Sequence, residues 1–160
     1  MRVVSLLPSA TELLCFVGGR GALVGRSHEC DYPPGIEGVP VLTAQATPPG
    51  AGPAEIDRVV REQLAGGGSL YTLNAEMLAG LHPDLILTQD LCRVCSIDVG
   101  AVRAVAEGLP SSPRVLSLNP QTVEDVLDDC LRVGEAAGRG GGGRGAGVGG
   151  GGGGVRGGGV

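Results

Sequence analysis

The sequence predicts an α/β fold built on a parallel β-sheet, and three observations carry this prediction. Short aliphatic runs at 2–7, 22–26, 84–88 and 114–118 have the composition of buried strands. Segments with helical periodicity lie between these runs, and Gly- or Pro-containing turns separate the two kinds of segment. Strands that alternate with helices favour a parallel sheet with right-handed crossovers.

The first strand and helix have the clearest signals. The run at 2–7 ends at Pro8, and the segment from Ser9 to Glu12 matches a capping box, which predicts a helix beginning there. Gly18 and Gly19 should end that helix. Because the segment 13–17 is apolar on nearly every side, we expect the helix to be deeply packed.

The later elements follow the same logic. A short strand at 39–43 contains Pro40, which is typical of a sheet edge. An amphipathic helix is predicted around 56–64, and Thr72 or Asn74 can cap the next one. A further helix is predicted at 99–107. Asn119 and Pro120 form a cap and first-turn pair for a last helix that runs towards Gly138.

The composition divides the chain at residue 139. From Arg139 to Val160, 15 of 22 residues are glycine, and such a segment has too little apolar surface to offset the roughly 1–2 kcal/mol per residue that backbone ordering costs. We therefore expect one folded lobe at 1–138 and a disordered Gly/Arg-rich, low-complexity tail at 139–160. The formal net charge is −5 and no acidic residue lies in the tail, so the lobe is acidic, which argues against nucleic acid as a partner.

The sequence contains no apolar run long enough for a membrane span. The first residues do not have the profile of a signal peptide, so the chain as written is expected to be cytoplasmic. The sequence also has no GxSxG elbow, P-loop or HExxH motif, and we expect no enzymatic activity.

A ligand site is expected where the parallel strands end. In open α/β sheets, ligands gather at the carboxyl ends of the strands. Three loops occupy that position in the predicted fold: Pro8 and Ser9, the segment 27–32, and the segment 88–95. Gln89 and Asp90 follow the clearest strand of the chain, so their side chains are expected to face the ligand.

Four stretches of the sequence resemble the substrate-binding proteins of cobalamin and iron-siderophore ABC transporters. They are RVVSLLPSATELL at 2–14, LVGRSHECDYPP at 23–34, LNAEMLAGLHPDLIL at 73–87 and RVLSLNPQTVEDVL at 114–127, in the order found in that family. The resemblance covers most of residues 2–138. It implies two Rossmann-like lobes joined by a long helix, of which this chain has the N-terminal lobe and the start of the interlobe helix near Gln121.

The resemblance also implies a ligand and its contacts. The ligand would be cobalamin, a related corrinoid or another metal chelate. Together with the position of the loops, this gives the residues that we expect to bind it: Pro8, Ser9, His28, Tyr32, Gln89 and Asp90. His28 falls near the position of a ligand-contacting aromatic residue in the family. Glu76 lies near the position of a glutamate that docks onto the ABC permease. Family members usually act in the periplasm or at the cell surface.

Two alternatives stay open at this point. Cys92 and Cys95 have the spacing of a zinc or redox pair, and Cys30 with His28 could complete a site of three cysteines and one histidine. The chain could also be a non-functional fragment, which would expose apolar surface.

Overall fold

A computed structural model describes residues 1–47, 50–65, 70–90 and 97–139. The predicted tail from residue 140 onward lies outside these residues, so the proposed division at residue 139 stays a prediction. The elements in chain order are β1 (Val3–Ser5), α1 (Pro8–Phe16), a 3₁₀ turn (Arg20–Ala22), β2 (Leu23–Arg26), β3 (Thr43–Gln45), α2 (Pro53–Ala65), β4 (Tyr71–Leu73), α3 (Ala75–Gly80), β5 (Leu85–Gln89), α4 (Val99–Glu107), β6 (Arg114–Leu118) and α5 (Val123–Ala136).

The main sheet has four parallel strands in the order β2-β1-β5-β6, which confirms the predicted fold class. The edge strand predicted at 39–43 is wrong in detail. Val41 forms only an isolated bridge with Arg26, and β3 begins at Thr43 and pairs antiparallel with β4. Pro40 has no N–H with which to extend a ladder alongside β2, so regular pairing there is interrupted. The strand β4 was not predicted, and Asn74 after it caps α3 by accepting from the Met77 amide at 2.9 Å.

Alternate residues of β1 and β5 face two separate cores. Val3, Leu85 and Leu87 pack with the layer formed by α1 and α5. Val4 and Ile86 pack with the layer formed by α3 and α4. These five side chains are at most 1% exposed, and each one stabilises the fold by roughly 1.5–3 kcal/mol through its burial. The sheet is therefore covered on both faces, as parallel sheets require.

Helix α1 begins one residue earlier than predicted. Pro8 occupies its first turn and Leu7 is the N-cap, with no capping side chain, so the expected Ser9–Glu12 capping box is wrong. The fixed φ of proline suits a first helical position, and its missing N–H needs no partner there. The expectation of deep packing on every side is also wrong, because Phe16 is 82% exposed.

The predicted end of α1 at two glycines is confirmed. Gly18 has φ +78°, a conformation that glycine adopts without steric cost. Its amide donates to the Cys15 carbonyl at 3.0 Å, and the Gly19 amide donates to the Leu14 carbonyl at 2.8 Å. This pair of hydrogen bonds is a Schellman motif, and it turns the chain directly towards β2.

Helix α5 begins and ends with strong caps. The predicted Asn119–Pro120 start is wrong, because Thr122 is the N-cap and forms a capping box with Asp125. The helix ends in a second Schellman motif at Gly138, whose φ is +68°. Its core side carries Val133, whereas Val123, Leu127 and Leu131 form an exposed apolar stripe at a spacing of four residues. The role of α5 as the start of an interlobe helix stays a prediction.

Gly19 provides a test of the turn after α1. A Cβ at Gly19 would overlap the Leu14 side chain and lie 2.9 Å from the Leu14 carbonyl oxygen, whereas a Cβ at Gly21 would meet nothing within 4 Å. We expect Gly19→Ala to lower the free energy of unfolding by about 1–3 kcal/mol, because backbone must move. The matched variant Gly21→Ala should change it by less than about 0.5 kcal/mol. Equal unfolding midpoints in urea would contradict this account of the turn.

Asp125 makes the stability of α5 depend on pH. Hydrogen bonds from the amides of Gln121 and Thr122, each 2.8 Å long, lower the pKa of its carboxyl group. A lowered folded-state pKa contributes stability above the unfolded-state pKa, and this stability is lost as the pH falls through the folded value. We expect Asp125→Asn to lower the melting temperature at pH 7 and the difference from wild type to shrink on acidification. Glu124→Gln, in the same turn, is the control, and a difference that stays constant down to pH 2 would count against the cap.

Candidate functional site

The carboxyl ends of β1, β2 and β5 lie at one edge of the sheet. In register, Ser5 of β1 lies beside Arg26 of β2 and Leu87 of β5. The chain leaves these strands through residues 6–9, 27–29 and 89–90, so the loops predicted to gather at this edge do so in their described parts. Cys92 and Cys95 belong to the segment 91–96, which lies outside the described residues.

A cavity of about 250 Å³ opens at this edge, and we call it the edge pocket. Its lining combines apolar and polar side chains from six parts of the chain: Leu6, Leu7, Pro8, Ser9, Ser27, Glu29, Thr43, Tyr71, Gln89 and Ile97. Leu6 and Leu7 are buried as part of the two cores, so the floor of the pocket is anchored to the folded sheet.

Thr43 is the centre of the polar network behind the edge pocket. Its Oγ1 accepts from the His28 amide at 3.0 Å, donates to Ser27 Oγ at 3.2 Å and lies 2.6 Å from His28 Nδ1. Ser27 Oγ in turn accepts from the Glu29 amide at 3.2 Å. Ser27 and Thr43 are both buried, at 3% and 6% exposure. The network therefore holds the loop after β2 against β3 and sets the position of Glu29 at the pocket.

Tyr71 joins this network to the pocket wall. Its hydroxyl donates to Glu29 Oε1 at 3.2 Å, and its ring lies 5.5 Å from the His28 imidazole at an interplanar angle of 42°. The tyrosine comes from β4, so the antiparallel β3-β4 pair brings both Thr43 and Tyr71 to the edge of the main sheet. The pocket is lined on this side by an aromatic ring and a carboxylate in contact with each other.

His28 lies behind the edge pocket. The short contact between its Nδ1 and Thr43 Oγ1 holds the imidazole against β3. Nε2 is buried and has no hydrogen-bond partner among the described residues. In this conformation the imidazole supports the Ser27–Glu29 loop, and its predicted contact with a ligand or metal stays a prediction.

Two further depressions continue from the edge pocket along the same edge. The first, about 350 Å³, is mainly apolar; it shares Leu7, Ser9 and Gln89 with the edge pocket, and we call it the apolar groove. The second, about 390 Å³, is lined by Asp90, Ser117, Asn119, Pro120, Asp125, Asp128, Asp129 and Arg132, and we call it the acidic pocket. Pro120 and Asp129 line both of these depressions, so the three form one continuous surface.

The remaining predicted site residues are spread over the molecule. Pro8, Ser9 and Gln89 line the edge pocket and Asp90 lines the acidic pocket. Tyr32 is 58% exposed and does not line any of these three depressions. Glu76 is exposed in the first turn of α3. Whether each of these residues touches a ligand or a partner stays a prediction.

Cys30 lies in the core behind the loop after β2. Its side chain is fully buried, and Sγ accepts from the Thr11 hydroxyl at 3.1 Å. Burial raises the pKa of the thiol, which disfavours the thiolate that zinc requires. The described residues contain no group of three or more metal-binding side chains. The structure therefore gives no support to a zinc site that uses Cys30, and Cys92 and Cys95 lie outside the described residues.

Four polar residues of the edge pocket were not predicted as site residues: Ser27, Glu29, Thr43 and Tyr71. Ser27 and Glu29 lie in a loop that the sequence did place at the edge. Thr43 and Tyr71 were missed because β3 and β4 are only three residues long and pair with each other outside the main sheet. The alternation of Tyr71, Thr72 and Leu73 before the Asn74 cap was the available signal.

Comparison with solved structures defines the class of fold: it is that of one lobe of the periplasmic binding proteins for vitamin B12, heme and iron. The vitamin B12 binding protein BtuF of Vibrio cholerae is 18% identical with a TM-score of 0.59, and the match covers 84% of this chain and 40% of that protein. The heme-binding protein HutB of Vibrio cholerae is 18% identical, with a TM-score of 0.58 and coverages of 87% and 42%.

A third structure, a possible iron-binding, periplasmic solute-binding protein of Staphylococcus epidermidis, is 24% identical, with a TM-score of 0.60 and coverages of 87% and 43%. This chain thus spans about two fifths of each of the three proteins. No protein-family model matches the chain, and no curated protein matches it. The resemblance predicted from the sequence is confirmed at the level of the fold.

All three proteins are described as periplasmic, so the comparisons give no support to the expectation that the chain is cytoplasmic. None of the helices in the described part of the chain combines the length and apolarity needed to cross a bilayer.

The importance of Thr43 can be tested with a nearly isosteric substitution. Thr43→Val removes the hydroxyl group that joins Ser27 and His28, and it leaves their buried polar atoms without that partner. We expect the free energy of unfolding to fall by about 1–3 kcal/mol. Thr72→Val, on the exposed side of β4, is the control and should leave stability within about 0.5 kcal/mol of wild type. Similar urea midpoints for the two variants would contradict the central role of Thr43.

Proposed function

We propose that this chain is a ligand-binding lobe of an importer's substrate-binding protein and that it binds a corrinoid such as cobalamin. The observation that carries the proposal is the edge pocket. It lies at the carboxyl edge of a parallel sheet, where α/β folds bind ligands, and Ser9, Glu29, Tyr71 and Gln89 bring polar groups to it.

The solved structures with the same fold support a metal chelate as the class of ligand. The proteins compared above are described as binding vitamin B12, heme or iron. Vitamin B12 and heme share a large, flat, largely apolar ring. The continuity of the edge pocket with the apolar groove offers an extended surface for such a ring, with polar groups at both ends.

Charge favours a corrinoid over heme. Glu29 lines the edge pocket, Glu12 lines the apolar groove and Asp90 lines the acidic pocket, whereas Arg132 is the one cationic side chain among the described residues that line these depressions. The two propionates of heme would be repelled by these carboxylates. The peripheral carboxamides of a corrinoid instead offer N–H donors, and carboxylates are acceptors only.

The remaining parts of the proposal concern location and partner. A substrate-binding protein of this kind acts outside the cytoplasmic membrane and passes its ligand to an ABC permease, without catalysing a reaction. Glu76 is the docking residue that we propose, because it is exposed at the start of α3. It also lies in a stretch that resembles the docking region of the family.

The test is a calorimetric titration of the full chain with cyanocobalamin and with heme. We expect cyanocobalamin to bind, and the double variant Ser9→Ala/Gln89→Ala to bind it about tenfold more weakly, because two hydrogen-bonding side chains are lost at the pocket. Ser111→Ala, at the opposite edge of the sheet, should bind like wild type. A folded chain that binds neither compound, or heme alone, would refute the proposal.

A further inference from the structure

The acidic pocket contains two buried polar atoms that the fold does not satisfy. Asp129 is 3% exposed, and its Oδ2 has no hydrogen-bond partner among the described residues. The Oγ atom of Ser117 is also buried and has no hydrogen-bond partner among the described residues. Both residues line the acidic pocket. Buried acceptors without partners are uncommon, because the lost hydrogen bonds to water are not replaced.

Arg132 neutralises only part of this pocket. Its Nη1 lies 2.5 Å from Asp129 Oδ1, and its Nη2 donates to the Ser117 carbonyl at 3.0 Å. The guanidinium therefore contacts Oδ1 of the carboxylate, and Oδ2 has no partner among the described residues. Asp90, Asp125 and Asp128 add three more carboxylates to the lining, and Arg132 is the one cation among the described residues of that lining. The electrostatic environment favours a positively charged hydrogen-bond donor.

The geometry favours an organic cation over a metal ion. A bound calcium or magnesium ion needs several oxygen ligands that converge on one point. The described residues contain no group of three or more acidic, histidine or cysteine side chains that could hold a metal ion. The volume of about 390 Å³ is also far larger than a single ion requires.

The neighbouring apolar groove indicates what else the cation carries. Asp129 and Pro120 line both depressions, so a group bound at Asp129 lies at the mouth of the groove. The groove is lined by Leu13, Leu118 and Val126 as well as by the residues shared with the edge pocket. A hydrocarbon chain attached to the cation would bury its methylene groups there, which favours binding through the hydrophobic effect.

We propose that the acidic pocket and the apolar groove together form a binding site for a primary alkylammonium group. The ammonium donates to Asp129 Oδ2 and Ser117 Oγ, Asp90 and Asp128 provide the negative potential, and the alkyl chain lies along the groove. The site depends only on residues of this chain and not on the corrinoid assignment, so it can fail or succeed independently of it.

The test is an NMR titration of the full ¹⁵N-labelled chain with hexylammonium chloride, with tetramethylammonium and hexanamide as comparison compounds. Tetramethylammonium has the charge but no N–H donor, and hexanamide has donors but no charge. We expect hexylammonium to shift the amide signals of Ser117 and Asp129 to saturation, and neither comparison compound to do so. Saturation by tetramethylammonium or hexanamide at the same concentration would overturn the proposal, as would tighter binding of calcium at the same residues.

Variants of the pocket identify the groups responsible. Asp129→Asn keeps the shape of the side chain and removes its charge, so affinity should fall by about tenfold or more. Asp128→Asn removes the same charge from an exposed position in the same lining and should reduce affinity by less than about threefold. Equal effects of the two substitutions would show that only general charge matters and would overturn the assignment to Asp129.

A second variant tests the site if the first one does not fold. Asp129 is paired with Arg132, so Asp129→Asn is examined by circular dichroism first. If that variant does not fold, Ser117→Ala tests the same site: it should fold and bind about fivefold more weakly, because one hydrogen bond is lost. Unchanged affinity of folded Ser117→Ala would then overturn the proposal.

Discussion

The burial of β1 between β2 and β5 is the constraint on which the rest of the structure depends. This strand has only three residues, yet all three are fully buried, and its register aligns Ser5 with Arg26 on one side and Leu87 on the other. Because the three strands are parallel, this register brings their following loops to one edge. Its two valines also connect the two cores, so the site cannot be displaced without disrupting both layers.

Buried hydrogen bonds of the fold hold the polar groups at this edge in place. Thr43 connects the loop after β2 to the β3-β4 pair through buried hydrogen bonds, and Tyr71 extends that connection to Glu29. At the other end, Arg132 joins Asp129 to the Ser117 carbonyl of β6 through two hydrogen bonds. An edge preorganised in this way reduces the entropy cost of binding, which suits the proposed ligand site.

Sequence reasoning located the parallel sheet, and the edge where its loops gather, because those features follow from strong local patterns. The runs at 84–88 and 114–118 are apolar enough to specify buried strands, and Gly18 and Gly138 mark helix ends. Sequence reasoning failed where tertiary contacts determine whether a side chain is buried. Phe16 looks like a core residue in the sequence, but α1 rests on the sheet through Ala10 and Leu14. Asp129 looks like an exposed acid of an amphipathic helix, and only the packing of α5 shows that it is buried.

The central claim is that ligand binds at the carboxyl edge of the parallel sheet, and backbone chemical-shift mapping with cyanocobalamin tests it most directly. On the full chain, we expect shifts concentrated at Ser9, Ser27, Glu29, Tyr71 and Gln89. Residues at the opposite edge, such as Asp84 and Ser112, should remain unaffected. Shifts concentrated at that opposite edge, or none at all at saturating ligand, would contradict it.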